Sequence, residues 1–232
     1  MKKSILLLCL LILSSAVLTA QKPVVSVLGD SYSTYEGKVW PKWNKAWYKI
    51  DKTDATDVSA PEQTWWGLLT AEDAPYTLGV NNSFSGSTIS FTGYHGNDYS
   101  DRSFINRMYG LGNPDIILIF GGTNDAWAGV PMGEYKDSGF TRADLFNYRP
   151  ALTYLVKGLR ELYPDAHIYF MLNNELGDNV SDSSKEICSR YGIGFIALSD
   201  IEKQAGHPTI AGMKSIANQM RAALDPIHVS KK

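Results

Sequence analysis

Four short, largely apolar runs govern what this chain can fold into. They are Val24-Val25-Ser26-Val27-Leu28, Asp115-Ile116-Ile117-Leu118-Ile119-Phe120, His167-Ile168-Tyr169-Phe170-Met171-Leu172 and Gly194-Phe195-Ile196-Ala197-Leu198. None alternates apolar with polar residues, so each predicts a strand buried on both faces, as in a parallel sheet covered by helices on either side. A weaker run, Tyr76 to Phe84, ends at Ser85-Gly86. Helical patterns separate the last three runs. Arg142 to Tyr163 carries Leu145, Tyr148, Leu152, Leu155, Val156 and Leu159 at three- and four-residue spacing and stops at Pro164. Ser181 to Tyr191 repeats the arrangement, with Ser181 as its candidate cap, and Thr209 to Leu224 forms the last helix. Gln63 to Leu69 reads as a short helix carrying Trp65 and Trp66. This alternation predicts an α/β protein, a three-layer α/β/α sandwich. No internal repeat or low-complexity linker interrupts it, so residues 21–232 are read as a single domain.

Composition removes several function classes. A net charge of −2 gives no electrostatic reason to expect nucleic acid as a partner. Two cysteines cannot build a disulfide scaffold, and no Cys/His cluster has zinc-ligand spacing, so no metal site is expected. Residues 1–20 read as a cleaved signal peptide. Lys2 and Lys3 precede the apolar run Ile5 to Leu13, and a Ser/Ala stretch leads to Ala20-Gln21. Nine strongly apolar residues fall short of the ~20 that span a bilayer, so no stable membrane insertion is expected once the segment is removed. The remaining chain of 212 residues would keep Cys188 as its only thiol, with 20 cationic against 24 anionic side chains. A secreted or periplasmic protein is expected.

Candidate chemistry sits at the C-terminal ends of the strands, where open α/β sheets place their sites. The first run ends in Gly29-Asp30-Ser31, the second strand in Ser85-Gly86-Ser87-Thr88, and the third in Gly121-Gly122-Thr123-Asn124-Asp125. A serine at a sharp strand-to-helix turn exposes its hydroxyl near helix amides. A glycine lets a ligand approach the backbone, and an asparagine amide can donate to a developing oxyanion. Each has an ordinary alternative: Gly-Asp-Ser as a turn, Gly86 as a bend, Asn-Asp as a helix cap. His207 stands in Gly206-His207-Pro208-Thr209-Ile210-Ala211-Gly212 just before the last helix, and a lone loop histidine is usually a surface residue.

In this order the four elements resemble the SGNH (GDSL-type) hydrolase family over essentially the whole chain after residue 20. The resemblance implies a flavodoxin-like sandwich with five parallel strands in order 2-1-3-4-5. It implies Ser31 as nucleophile and His207 as general base, and an oxyanion hole from the amides of Ser31 and Gly86 and the side chain of Asn124. It also implies hydrolysis of carboxylic esters without a cofactor. One departure stands out. The family usually places an Asp three residues before the histidine, and this chain has Gln204. A neutral amide cannot stabilise an imidazolium as a carboxylate does. Asp200, Glu202 and Gln204 are the candidates for orienting His207, and a main-chain carbonyl, most simply that of Gln204, would leave a Ser-His dyad.

Substrate is read from aromatic residues. Six tryptophans lie in the chain, and Trp40, Trp43, Trp47 and Trp127 follow strand ends that carry candidate residues. Aromatic faces stack on sugar C–H surfaces, so these four, with Asn173 and Glu175 after the fourth strand, are candidate substrate-lining residues. The expected substrate is a small-molecule or glycan ester, with deacylation of carbohydrate favoured. The alternatives are a carbohydrate-binding protein on a weakened hydrolase scaffold, and a lysophospholipase or thioesterase.

Overall fold

The computed structural model describes residues 21–51 and 53–224, so the signal-peptide reading of residues 1–20 lies outside the described residues. Strands β1 (Val24–Gly29), β2 (Thr77–Ser83), β3 (Ile116–Phe120), β4 (His167–Leu172) and β5 (Gly194–Ala197) form one parallel sheet in the order β2-β1-β3-β4-β5. Strand β3 shows why its sequence lacks alternation: all five residues are buried, and successive side chains enter different cores. Ile117 and Ile119 pack with α2 (Phe104–Arg107), α4 (Tyr148–Leu162) and α5 (Asp178–Arg190). Ile116, Leu118 and Phe120 pack with α1 (Trp65–Leu69) and α6 (Ile210–Leu224) on the other face. The three layers and the strand order are those expected.

The largest differences from the sequence reading are the starts of two helices. Helix α4 begins at Tyr148 rather than Arg142, after a single 3-10 turn over Asp144–Phe146. Pro150 explains it. In a helix starting at 142 its ring would clash with the carbonyl of Phe146, whereas within a first turn the missing N–H goes unmissed. Helix α5 begins at Asp178 after Gly177, and the Ser181 amide donates to the Gly177 carbonyl, so Ser181 lies inside the helix instead of capping it.

After β5 a two-residue-per-strand hairpin, β6 (Lys203–Gln204) and β7 (His207–Pro208), returns the chain over the C-terminal edge of the sheet. Its turn is Ala205-Gly206, both at positive φ (47° and 74°), as a tight hairpin of this length demands. Helix α6 starts immediately afterwards. A Cβ on Gly212 would lie 2.2 Å from the Glu202 carbonyl oxygen, so only glycine lets the first turn of α6 pack this tightly against the hairpin's base.

Candidate active site

The sequence ends of β1, β2 and β3 meet above the sheet. Strand β1 stops because the chain turns into a 3-10 helix (Ser31–Ser33) whose first amides are capped by Asp30: its Oδ1 accepts from the Tyr32 amide at 3.0 Å. Ser31 is thereby presented at the sheet edge, and its Oγ lies 3.0 Å from His207 Nε2. The other ring nitrogen, Nδ1, lies 3.0 Å from the carbonyl oxygen of Ala205. A carbonyl only accepts, so Nδ1 carries the proton and Nε2 is left to accept from the serine hydroxyl.

The group on Nδ1 is therefore none of Gln204, Asp200 and Glu202, the last of which accepts from Thr209 Oγ1 at 2.6 Å. Gln204 turns away and its Nε2 donates to the Asp54 carbonyl at 2.8 Å. Asp200 is exposed and accepts from the neighbouring Ser199 hydroxyl. The main-chain acceptor belongs to Ala205, one residue later than Gln204, because the tight turn aims that carbonyl back at the ring two residues on. A non-glycine residue at φ 47° costs about 1 kcal/mol, and the hairpin's other bonds hold it there. Tyr32 Oη donates to the Gly206 carbonyl at 2.6 Å and Tyr48 Oη to the Pro208 carbonyl at 2.8 Å. The Ile210 amide donates to Asp57 at 2.8 Å.

Gly86 lies at φ 81° with open space where a Cβ would stand, so the position needs glycine for its backbone and leaves room above it. Neither the Ser31 nor the Gly86 amide donates to another described residue. Asn124, buried in the first turn of α3 (Thr123–Trp127), is fixed from both ends. Its Nδ2 donates to the Ser87 carbonyl at 3.0 Å, and its Oδ1 accepts from Tyr94 Oη at 2.7 Å. One Nδ2 hydrogen remains for a ligand. The loop carrying Gly86 is braced by Asp125, whose two oxygens accept from the amides of Ile89 and Ser90 at 2.8 and 3.0 Å.

Burial dominates the electrostatics. It pushes the His207 ring below its ordinary 6.5, against the Ala205 carbonyl, which favours the protonated form. It raises Asp30 to about 7 and Asp125 to about 6, and lowers the buried Arg107 to about 9. Arg107 bridges the site's underside, donating to the Asn82 carbonyl and to Ser87 Oγ.

The candidate lining residues separate. Trp127 is 46 % exposed, with its ring edge-on to His207 (centroids 6.4 Å) and to Tyr32. Trp47, half-buried, has one face stacked on the His207 ring, parallel to it at 3.6 Å. Trp40 and Trp43 are exposed and are not among the rings that contact His207. Asn173 is buried behind Tyr32, 3.4 Å from its hydroxyl. Glu175 is engaged by Lys203 at 2.9 Å. Trp65 and Trp66 are both core residues, with their indole N–H groups on Ser33. Ala205 escaped the sequence reading, since nothing in its local sequence marks it; Tyr48 and Tyr94 stand in segments whose sequence suggests they border the pocket, but their bonding roles are not marked there. Asp125 stands out in sequence as part of an Asn-Asp cap and of the segment after the third strand, but its brace on the Gly86 loop does not.

The sequence profile of the GDSL-like lipase/acylhydrolase family matches residues 23–224. The chain belongs to that family. This makes it an ester hydrolase, in keeping with a serine hydroxyl poised on a neutral imidazole. A Bacteroides uniformis structure described as a GDSL-like lipase is 51 % identical with a TM-score of 0.87, over 90 % of this chain and 98 % of that one. A Bacteroides ovatus structure described in the same words is 48 % identical with a TM-score of 0.87, over 89 % of this chain and 100 % of that one. An acetyl xylan esterase from Butyrivibrio proteoclasticus shares the fold at 17 % identity with a TM-score of 0.53, over 88 % of this chain and 63 % of that one. No curated protein matches. Among the described residues no cluster of three or more His, Cys, Asp or Glu could hold a metal ion.

Proposed function

We propose that this family member is a secreted or periplasmic serine esterase that removes small acyl groups from carbohydrate, working through a Ser31–His207 dyad. The carrying observation is the chain of two contacts, Ser31 Oγ to His207 Nε2 and Nδ1 to the Ala205 carbonyl, each 3.0 Å. His207 takes the Ser31 proton as Oγ attacks the ester carbonyl. The resulting oxyanion is met by the Ser31 and Gly86 amides and the remaining Asn124 Nδ2 hydrogen, each worth ~2.7–4 kcal/mol in the transition state. The tetrahedral species collapses, the C–O bond to the alcohol breaks, and imidazolium returns its proton to the departing oxygen. Water then repeats the sequence on the acyl-serine, releasing the acid and restoring Ser31.

Two features support a carbohydrate alcohol. Trp127 holds a half-exposed indole beside the dyad, suited to a sugar's C–H face. Carbohydrate esterases, one of them of acetyl xylan, share the fold. Export is supported by Lys2-Lys3, the apolar run and Ala20, and among the described residues no helix is long and apolar enough to cross a membrane.

An organophosphonate followed by peptide mass mapping tests the nucleophile. A mass shift on Ser31, absent in Ser31→Ala, is expected; a labelled protein with unmodified Ser31 overturns the assignment. A panel of acetyl, butyryl and decanoyl esters on sugar and glycerol alcohols tests the substrate. Preference for long acyl chains would turn the reading to a lysophospholipase or thioesterase. Mass spectrometry of exported protein is expected to find Gln21 at its N-terminus.

A further inference from the structure

We propose that Trp47 is a positioning residue for this reaction, its indole face fixing the plane of the His207 ring and stabilising the imidazolium in place of the missing carboxylate. The proposal rests on the Ser31–His207 reading. The two rings are 3.6 Å apart and within 5° of parallel, so the indole covers one whole face of the imidazole. Among the described residues the ring's hydrogen-bond and aromatic partners are Ser31, the Ala205 carbonyl, Trp47, and the edges of Tyr32, Tyr48 and Trp127. None is charged: burial holds both tyrosines well above the ordinary 10, hence neutral. The Ala205 carbonyl fixes the tautomer but brings only a dipole.

Proton transfer from Ser31 thus creates a cation in a buried place where, among the described residues, no carboxylate is bonded to the ring. An aromatic face attracts a cation through its quadrupole, Trp most strongly, and the attraction grows where water is excluded. The neutral ring gains less. The indole therefore favours the transition state over the resting state, the condition for acceleration. Its placement is tied to the nucleophile as well. The Trp47 amide donates to Thr34 Oγ1 at 2.8 Å, and that hydroxyl donates to the Ser31 carbonyl at 2.9 Å. The indole Nε1 is buried without a partner among the described residues, so the site uses the ring's face and not its N–H.

The test compares wild type, Trp47→Phe and Trp47→Leu on p-nitrophenyl acetate, recording kcat, KM, the pH profile of kcat/KM and thermal melting. Trp47→Leu is expected to lower kcat about tenfold, about 1.4 kcal/mol, with KM within about twofold. Its acid limb should move about half a pH unit or more to lower pH, because the imidazolium has lost its stabiliser. Trp47→Phe, smaller but still aromatic, should fall between the two on both readouts, and it decides the matter if Trp47→Leu does not melt cooperatively. Unchanged kcat and limb in a folded variant, or a loss confined to KM, overturns the proposal. Ser31→Ala and His207→Ala run alongside. If either keeps its kcat, the dyad reading itself fails, whereas inactive dyad variants beside an unaffected Trp47→Leu remove only the role of Trp47.

Discussion

Tyr94→Phe removes one oxygen that bonds Asn124 rather than Ser31 or His207, and its consequence follows from the geometry around Asn124. The phenol donates to Asn124 Oδ1 at 2.7 Å, while Nδ2 donates to the Ser87 carbonyl at 3.0 Å. Losing the phenol leaves a buried acceptor unmatched, which costs about 1–3 kcal/mol. Rotating the amide offers no escape, since Oδ1 would then face the Ser87 carbonyl, acceptor against acceptor. The amide keeps one of its two anchors, so we expect about 1–2 kcal/mol of lost preorganisation, equivalent to a roughly 5- to 30-fold fall in kcat. Asn124→Ala, which removes the donor itself, should cost about 10²- to 10³-fold. Melting should fall by about 2–4 °C per kcal/mol for a chain of this size. Steady-state turnover of p-nitrophenyl acetate at saturation, with calorimetric melting, measures both. A kcat within twofold of wild type beside a crippled Asn124→Ala would show that Asn124 needs no help from Tyr94. A loss equal to that of Asn124→Ala would place Tyr94 itself against the reacting atoms.

Other outcomes follow from the same structure. Asp200→Asn and Gln204→Ala should each keep kcat within about threefold, because neither side chain reaches the His207 ring; a collapse comparable to Ser31→Ala would refute the main-chain assignment. The kcat/KM of wild type should rise with pH along a limb whose midpoint lies below 6.5, since burial depresses His207 and only the neutral ring accepts a proton; a midpoint above 7 contradicts this. Burial raises Asp30 from 3.8 to about 7, so the folded chain binds its proton more tightly than the unfolded chain, and stability falls as pH rises through that window. Asp125 acts in the same direction and His207 in the opposite one. Asp30→Asn should therefore gain in melting temperature relative to wild type between pH 4 and pH 7; a constant difference across that range would refute it.

The sheet was legible because fully buried strands write themselves as unbroken apolar runs: β3 is buried at every residue. The start of α4 was misplaced by periodicity alone, although Pro150 was there to correct it. Ser31, Gly86, Asn124 and His207 were legible only as a set: each follows a strand or precedes the last helix, and their order along the chain resembles the GDSL-type pattern although none is specific alone. Ala205 and Trp47 could not be read, for different reasons. Ala205 acts through a carbonyl that every residue type possesses, and only the turn's dihedral angles aim it. Trp47 looked like a sugar platform because indole chemistry suits both uses, and only three-dimensional placement shows one of its faces stacked on His207.

The Ala205 carbonyl also bears on how such sites persist through mutation. A carboxylate partner is one codon, lost whenever that codon changes to a residue without an acid. A backbone acceptor has no codon of its own. It disappears only when the turn is lengthened, shortened or re-bent, and the bonds from Tyr32, Tyr48 and Asp57 to this hairpin and the helix after it resist that. A motif search that demands an acid three residues before the histidine would discard this chain as degenerate, yet its imidazole is held with Nδ1 on a carbonyl and Nε2 facing Ser31 Oγ.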